Sequence, residues 1–215
     1  CRKIDFKPDT GFWLNGRNVR LVGAARHQDR AGLGNALTAA EHEEDMQLLR
    51  DMGANTVRLA HYQHAQYFYN LCDKYGLVAW AEIPYITEHM PEATANTLSQ
   101  MEELVLQNYN HPSIICWGLS NEITVTTGVT ENLTANHRLL NDLCHRLDAT
   151  RPTTMAHAFM LDPNDPFVQL PDICSYNLYY GWYLGELQQN DEFFDTFHKN
   201  HPDRVIGLSG KRSRI

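Results

Sequence analysis

Asn121-Glu122 stands just past a short apolar run, Ser113–Leu119 (SIICWGL), and a carboxylate in that place is equipped for proton transfer. An uninterrupted apolar run of this length reads as a strand covered on both faces. In parallel α/β sheets, active sites gather at the carboxyl ends of strands, which makes Glu122 the leading general acid/base candidate. Other strand-like runs end in a similar way. Arg26, His27 and Asp29 follow the first; Arg58, His61 and Tyr62 follow the second; Glu82 closes the third. His157 ends the fifth, and Asn177, Tyr179, Tyr180 and Trp182 close or follow the sixth. One polar residue at a strand end is usually a satisfied buried group, but the same bias on five strands points to a site.

Two chemistries compete for this rim. A metal-dependent hydrolase barrel would show His-x-His on its first strand, whereas this chain reads His27-Gln28-Asp29. His61 and His64 are three apart, but His64 falls at a helix start and is expected to be exposed. The pattern argues against a catalytic metal. A glycosidase needs two carboxylates, one of them protonated, with hydrogen-bonding and stacking groups for the sugar. Asn, His, Arg, Tyr and Trp at strand ends fit that inventory better.

The elements that must position these residues recur at fairly regular intervals. Seven strand candidates are Val19–Ala25, Asn55–Ala60, Leu77–Ile83, Ser113–Leu119, Thr153–Ala158, Asp172–Asn177 and Arg204–Ser209. Apolar stripes at helical spacing lie between them: Met46/Leu49/Met52, Phe68/Leu71/Cys72/Tyr75, Leu98/Met101/Leu104/Val105 and Leu133/Leu140/Leu143/Leu147. Thr38 to Glu41 has capping-box spacing, and Gly53 and Gly76 stand as helix stops. The proline-rich stretch Asp162 to Pro171 reads as a loop. Repeated strand–helix units give an α/β fold of the (β/α)8 TIM-barrel type, incomplete because about seven strands are present. Residues 1–209 form the expected barrel domain, opening on a hairpin-like segment, and 210–215 form an atypical basic tail of possible cloning origin. Cys1 in place of Met suggests a piece of something longer.

With 215 residues the chain can bury a sizeable core, and 43% apolar with 20% charged residues is ordinary for a globular protein. A net charge of −8 disfavours nucleic acid as a partner, while ten Tyr and four Trp favour a neutral substrate that rings can stack on. No run reaches membrane-spanning length, so no membrane partner is expected. Five cysteines without CxxC spacing argue against a disulfide framework or zinc ribbon and favour a reducing, cytoplasmic setting.

Four segments carry a resemblance to a known family. Phe12-Trp13-Leu14-Asn15-Gly16 with Val22 to His27, Asn55 to Tyr62, Asn110-His111-Pro112-Ser113 through Asn121-Glu122, and Asn177 to Trp182 together resemble the barrel domain of family 2 glycoside hydrolases. That family is the β-galactosidase and β-glucuronidase group. The resemblance implies Glu122 as acid/base and Asn121 as the partner of the sugar 2-hydroxyl. It implies a pocket lined by His27, Asp29, Arg58, His61 and Trp182, with Tyr179 touching the nucleophile and Glu82 and Asn177 in support. It implies no organic cofactor, although some members use sodium or magnesium.

The departure lies on the seventh strand. The family pattern there resembles G-L-S-E-Y-G, and this chain reads Gly207-Leu208-Ser209-Gly210, with Gly210 where the nucleophilic glutamate is expected. A retaining mechanism needs that second carboxylate about 5–5.5 Å from the first. The resulting expectation is a retaining β-glycosidase barrel, foremost a β-galactosidase, truncated at its C-terminus, inactive as it stands, and missing flanking domains. Self-association through open barrel edges is also expected. The alternatives are a non-catalytic carbohydrate-binding module and a glucuronidase- or mannosidase-type barrel.

Overall fold

The computed structural model describes residues 2–211. The chain begins with an antiparallel meander, β1 (Ile4–Lys7), β2 (Gly11–Leu14) and β3 (Arg17–Asn18). Seven parallel strands follow: β4 (Gly23–Arg26), β5 (Thr56–Leu59), β6 (Val78–Glu82), β7 (Ile114–Asn121), β8 (Thr153–Ala158), β9 (Ile173–Leu178) and β10 (Val205–Lys211). Each pairs with the next in the unbroken order β4 to β10. Helices α1 (Ala39–Asp51), α2 (Gln66–Tyr75), α3 (Thr94–Asn108), α4 (Glu131–Leu147) and α5 (Gln189–Asn200) make the crossovers, except between β8 and β9, where the expected proline-rich loop runs. The sheet curls into an incomplete TIM barrel, and its edge strands β4 and β10 approach within 8 Å between Cα atoms.

Local chemistry explains the boundaries. The Thr38 side chain accepts from the backbone of α1, and Glu41 reaches back to the Thr38 N–H at 2.7 Å, closing the expected capping box. Gly76 ends α2 at φ 73°, a left-handed position that glycine adopts without Cβ strain. Every residue of β7 is buried, as a strand with helices on one side and a filled barrel on the other requires. Between sheet and helices sits the main core, with Phe68, Met101, Leu104, Trp117 and Leu140 at its centre. Phe12 of the meander packs with Val78, Ile115 and Cys116, so the N-terminal segment seals the barrel floor.

Three expectations change. The first barrel strand is Gly23–Arg26, shorter than Val19–Ala25, because the segment before it bonds elsewhere. Val19 N–H donates to Phe12 O, and the Asn55 side chain holds Val22 N–H and Arg20 O at 2.8 Å each. Met52 lies past the last turn of α1 and is exposed, so it leaves the apolar stripe. The seventh strand runs beyond Ser209, with Gly210 and Lys211 in register against Asn177 and Leu178. The rest of the expected basic tail, residues 212–215, lies outside the described residues. No helix among the described residues is long and apolar enough to cross a membrane.

Candidate active site

Alternation along a strand sends every second side chain to one face, and at the carboxyl ends of β5, β6, β7 and β9 the inward positions hold polar groups. Arg58 of β5 is the hub. Its Nε and Nη2 donate to the two oxygens of Glu82 at 2.9 and 3.0 Å. Nη2 also reaches Asn121 Oδ1 at 2.8 Å, and Nη1 reaches Asn177 Oδ1 and the Ser209 carbonyl at 3.2 Å each. Asn177 Nδ2 donates to Asn121 Oδ1 at 3.0 Å, and Ser209 Oγ to Asn177 Oδ1 at 2.9 Å. The guanidinium lies over the Trp80 ring, 4.8 Å from its centre. All of these polar residues are buried, so the cluster forms a fixed floor beneath the rim.

Burial by itself would raise the Glu82 carboxyl, but Arg58 and a His61 hydrogen bond outweigh it and hold the group below its ordinary range. His61 Nδ1 lies 2.5 Å from Glu82 Oε1, and its ring meets His27 edge-on at 5.1 Å. Gly118 makes the close packing possible. A Cβ there would fall 2.4 Å from Trp80 Nε1 and 2.5 Å from the Glu82 Cβ.

Glu122 follows Asn121 directly, half-buried and at φ 45°. A non-glycine residue in the left-handed region is strained, and such strain clusters at functional sites. Here the surroundings impose it. Glu122 N–H donates to Ala156 O at 2.8 Å, Asn121 N–H to Tyr85 O at 3.0 Å, and Thr87 N–H to Asn121 O at 3.1 Å. Behind this turn, Ser120 Oγ bonds His137 Nε2 at 2.8 Å, while His137 Nδ1 faces Leu133 O at 2.9 Å and the ring stacks on Tyr85. Burial drives the His137 pKa down to about 4, so the ring is neutral.

The structure thus gathers Arg58, His61, Glu82, Asn121 and Asn177 into one cluster, with Glu122 next in the chain and His27 against His61. Tyr179 stands beside the seventh strand: a Cβ on Gly210 would lie 3.6 Å from its hydroxyl and 2.7 Å from Asn177 Oδ1. Asp29 is exposed on the rim, as is part of Trp182, which meets Tyr183 edge-on.

Of the polar residues noted at or near strand ends, Arg26 and His64 face α1 and α2 instead, and His157 faces the loop between β8 and β9. Arg26 pairs with Asp45 of α1 at 2.7 Å, touches His64 and His42, and covers the Phe68 ring. His64 is buried there, contrary to the exposure expected, and burial lowers its pKa to about 3. His157 lies between Phe167 and Tyr176, similarly lowered to about 3 by burial. Strand alternation separates Arg26 and His157 from the rim set, a parity that a list of strand-end residues ignores. Ser209, Gly118 and His137 went unnoticed because each matters only through a neighbour on another strand or helix. Among the described residues, no three His, Cys, Asp or Glu side chains converge as metal ligands would.

Residues 7–206 match the family model described as glycosyl hydrolases family 2, TIM barrel domain. The chain belongs to glycoside hydrolase family 2. This family 2 barrel is 44% identical to a β-glucuronidase of Bacteroides fragilis over 211 residues, covering 94% of this chain and 29% of that protein. It is 35% identical to a β-galactosidase of Thermoanaerobacterium thermosulfurigenes, covering 71% of this chain and 20% of that protein. Among solved structures, an FMN-binding β-glucuronidase from Facaelibacterium prausnitzii L2-6 superposes with a TM-score of 0.95 at 44% identity, covering 99% of this chain and 33% of that one. The family 2 barrel therefore spans about a third or less of the length of these relatives.

Proposed function

We propose that the chain is the barrel of a retaining, exo-acting β-glycosidase in which Glu122 is the acid/base and Gly210 occupies the nucleophile's position. The observation that carries this reading is the convergence of Arg58, Glu82, Asn121 and Asn177 from four strand ends, next to a Glu122 held in a strained backbone turn. In this mechanism Glu122 protonates the glycosidic oxygen and later deprotonates the water that frees the sugar. Asn121 offers its amide to the 2-hydroxyl, a contact that strengthens as charge develops at the anomeric centre. His27, His61, Asp29 and Trp182 border the sugar, and Tyr179 addresses the group at position 210. The sugar we propose is a β-glucuronide, on the 44% identity to β-glucuronidase; a β-galactoside, the sequence-based expectation, is the second reading on the 35% identity to β-galactosidase.

Glu82 does not replace the nucleophile. Both its oxygens are committed to Arg58, and one also to His61, deep under the floor. The chain is therefore expected to hydrolyse neither nitrophenyl β-glucuronide nor β-galactoside, whereas Gly210→Glu is expected to gain turnover that Glu122→Gln abolishes. Turnover by the unaltered chain, or none after Gly210→Glu, would count against the assignment. Saturable sugar binding without turnover in either form would favour a carbohydrate-binding module, a role that Gly210 also suits.

A further inference from the structure

We propose that the cavity between α5 and the loop joining β8 to β9 is a second carbohydrate site, outside the barrel, that binds an uncharged pyranose residue of an oligosaccharide. It is built from residues other than Glu122 and Gly210 and stands whether or not their assignment holds.

The cavity follows from the one crossover of the described sheet that lacks a helix, between β8 and β9. On that flank α5 meets a loop, and the two leave a space of about 330 Å³. Small-ligand sites occupy roughly 300–1,000 Å³. The loop is braced from within. Asp162 Oδ1 accepts from the Asn164 backbone and side-chain amides at 2.9 Å each, Asp165 Oδ1 from Phe167 N–H at 2.8 Å, and Gln169 Nε2 donates to Pro163 O at 2.8 Å. Phe167 and Val168 are buried and anchor its far end. A wall held in this way loses little freedom when a ligand arrives.

The lining suits a neutral sugar. Tyr180 and Phe193, both half-buried, supply ring surface for the C–H face of a pyranose. Around them stand groups that match hydroxyls, which both donate and accept. Gln189 commits its Oε1 to Glu186 N–H at 2.7 Å, which leaves its NH₂ as a donor. Asn164 gives its NH₂ to Asp162, which leaves its Oδ1 as an acceptor. Thr196 and Glu192 are exposed at the same opening. The lining carries the carboxylates of Asp162 and Glu192 and no Lys, Arg or His, so an anionic sugar is repelled. The barrel's proposed glucuronide is thereby excluded from this second site. Consecutive residues of one loop serve the two sides: Tyr180 lines the outer cavity, while the Tyr179 hydroxyl lies 3.6 Å from an ideal Cβ on Gly210.

The test titrates the isotopically labelled full chain with cellotriose, β-1,4-galactotriose and trigalacturonate and follows backbone amide signals by NMR. At least one neutral trisaccharide is expected to move the signals of Asn164, Gln189, Glu192 and Thr196 in a saturable way, and trigalacturonate to leave them in place. Thr196→Trp, an exposed position whose enlarged side chain fills the cavity, is expected to abolish the shifts at an unchanged unfolding midpoint. Glu192→Ala is expected to weaken binding by about 2- to 10-fold, the loss of one hydrogen bond. The proposal is overturned if neither neutral sugar moves these signals up to its solubility limit, or if the shifts are confined to Asn121, Glu122 and their neighbours in the barrel mouth. Equal binding of trigalacturonate, or binding that survives both Thr196→Trp and Glu192→Ala, overturns it too.

Discussion

Arg58 and Glu82 form a buried ion pair, with side chains 7% and 1% exposed. Desolvating both charges costs several kcal/mol, which mutual attraction and added hydrogen bonds must offset. Removing one partner leaves the other buried and unpaired, so Glu82→Gln and Arg58→Met are each expected to destabilise the fold by about 3–5 kcal/mol. Denaturant unfolding measures this, and a loss below about 1 kcal/mol would mean the pair is better solvated than its burial implies. Proton linkage acts at the same scale. Burial keeps His64, His137 and His157 neutral down to about 3, 4 and 3. In the unfolded chain they protonate near about 6.5, so the unfolded state binds more protons below that value. Their contribution is fully present above about 6.5 and is lost as pH falls towards the folded values. Glu82, held below its ordinary 4.5, acts in the same direction at lower pH, its contribution present above that value and lost as pH falls through the folded one. The urea midpoint is therefore expected to fall steadily as pH drops from about 7 to 4, and His137→Gln to flatten part of the slope; a flat profile would contradict the burial of these rings.

Elements were legible where period and burial agree. The Ser113–Leu119 run became the fully buried β7, and Thr153–Ala158 became β8 residue for residue. Thr38 and Glu41 marked the start of α1 because a capping box is local chemistry, carried by two side chains and adjacent backbone. Helix α5 gave no recognised stripe, since its buried positions are Asn190 and Phe197, and its other phenylalanines pack only in part. The site was legible as residue types at strand ends. What could not be read was facing: Arg26 and His157 need the sheet's alternation, and His64 the helix packed on it, before they are seen to point away from the rim. Gly118 shows the same limit from the other side. In sequence it is one small residue within a strand, but in the sheet it gives Trp80 and Glu82 the room to stand side by side. Gly118→Ala is expected to cost about 1–3 kcal/mol through overpacking and to tilt Glu82 away from Arg58. Its unfolding midpoint and the exchange rates of the Arg58 guanidinium protons report the two effects separately, and a variant as stable as the parent would show that β6 yields easily.

The molecule as a whole is a curled sheet with two outer strands, and the balance between its closure and its edges governs its behaviour in solution. Phe12 and the meander cover the floor, and helices cover much of the outer face, while β4 and β10 remain the outer strands of the sheet. Unpaired strand edges present rows of N–H and C=O groups that another chain can complete. On β10 that edge carries Leu208, 42% exposed, an apolar side chain beside the unpaired backbone. The two edges approach each other, yet they do not join into one ladder, so each keeps its capacity for pairing. This arrangement predicts concentration-dependent association of the isolated chain, measurable by sedimentation velocity over a dilution series. Leu208→Lys should shift that equilibrium towards monomer without lowering the unfolding midpoint, because the side chain contributes little to the core. If the chain sediments as one monomeric species at every concentration, the approach of β4 to β10 is itself enough to protect the edges. If Leu208→Lys leaves association unchanged while a substitution on the β4 side abolishes it, the contact runs through the first barrel strand alone.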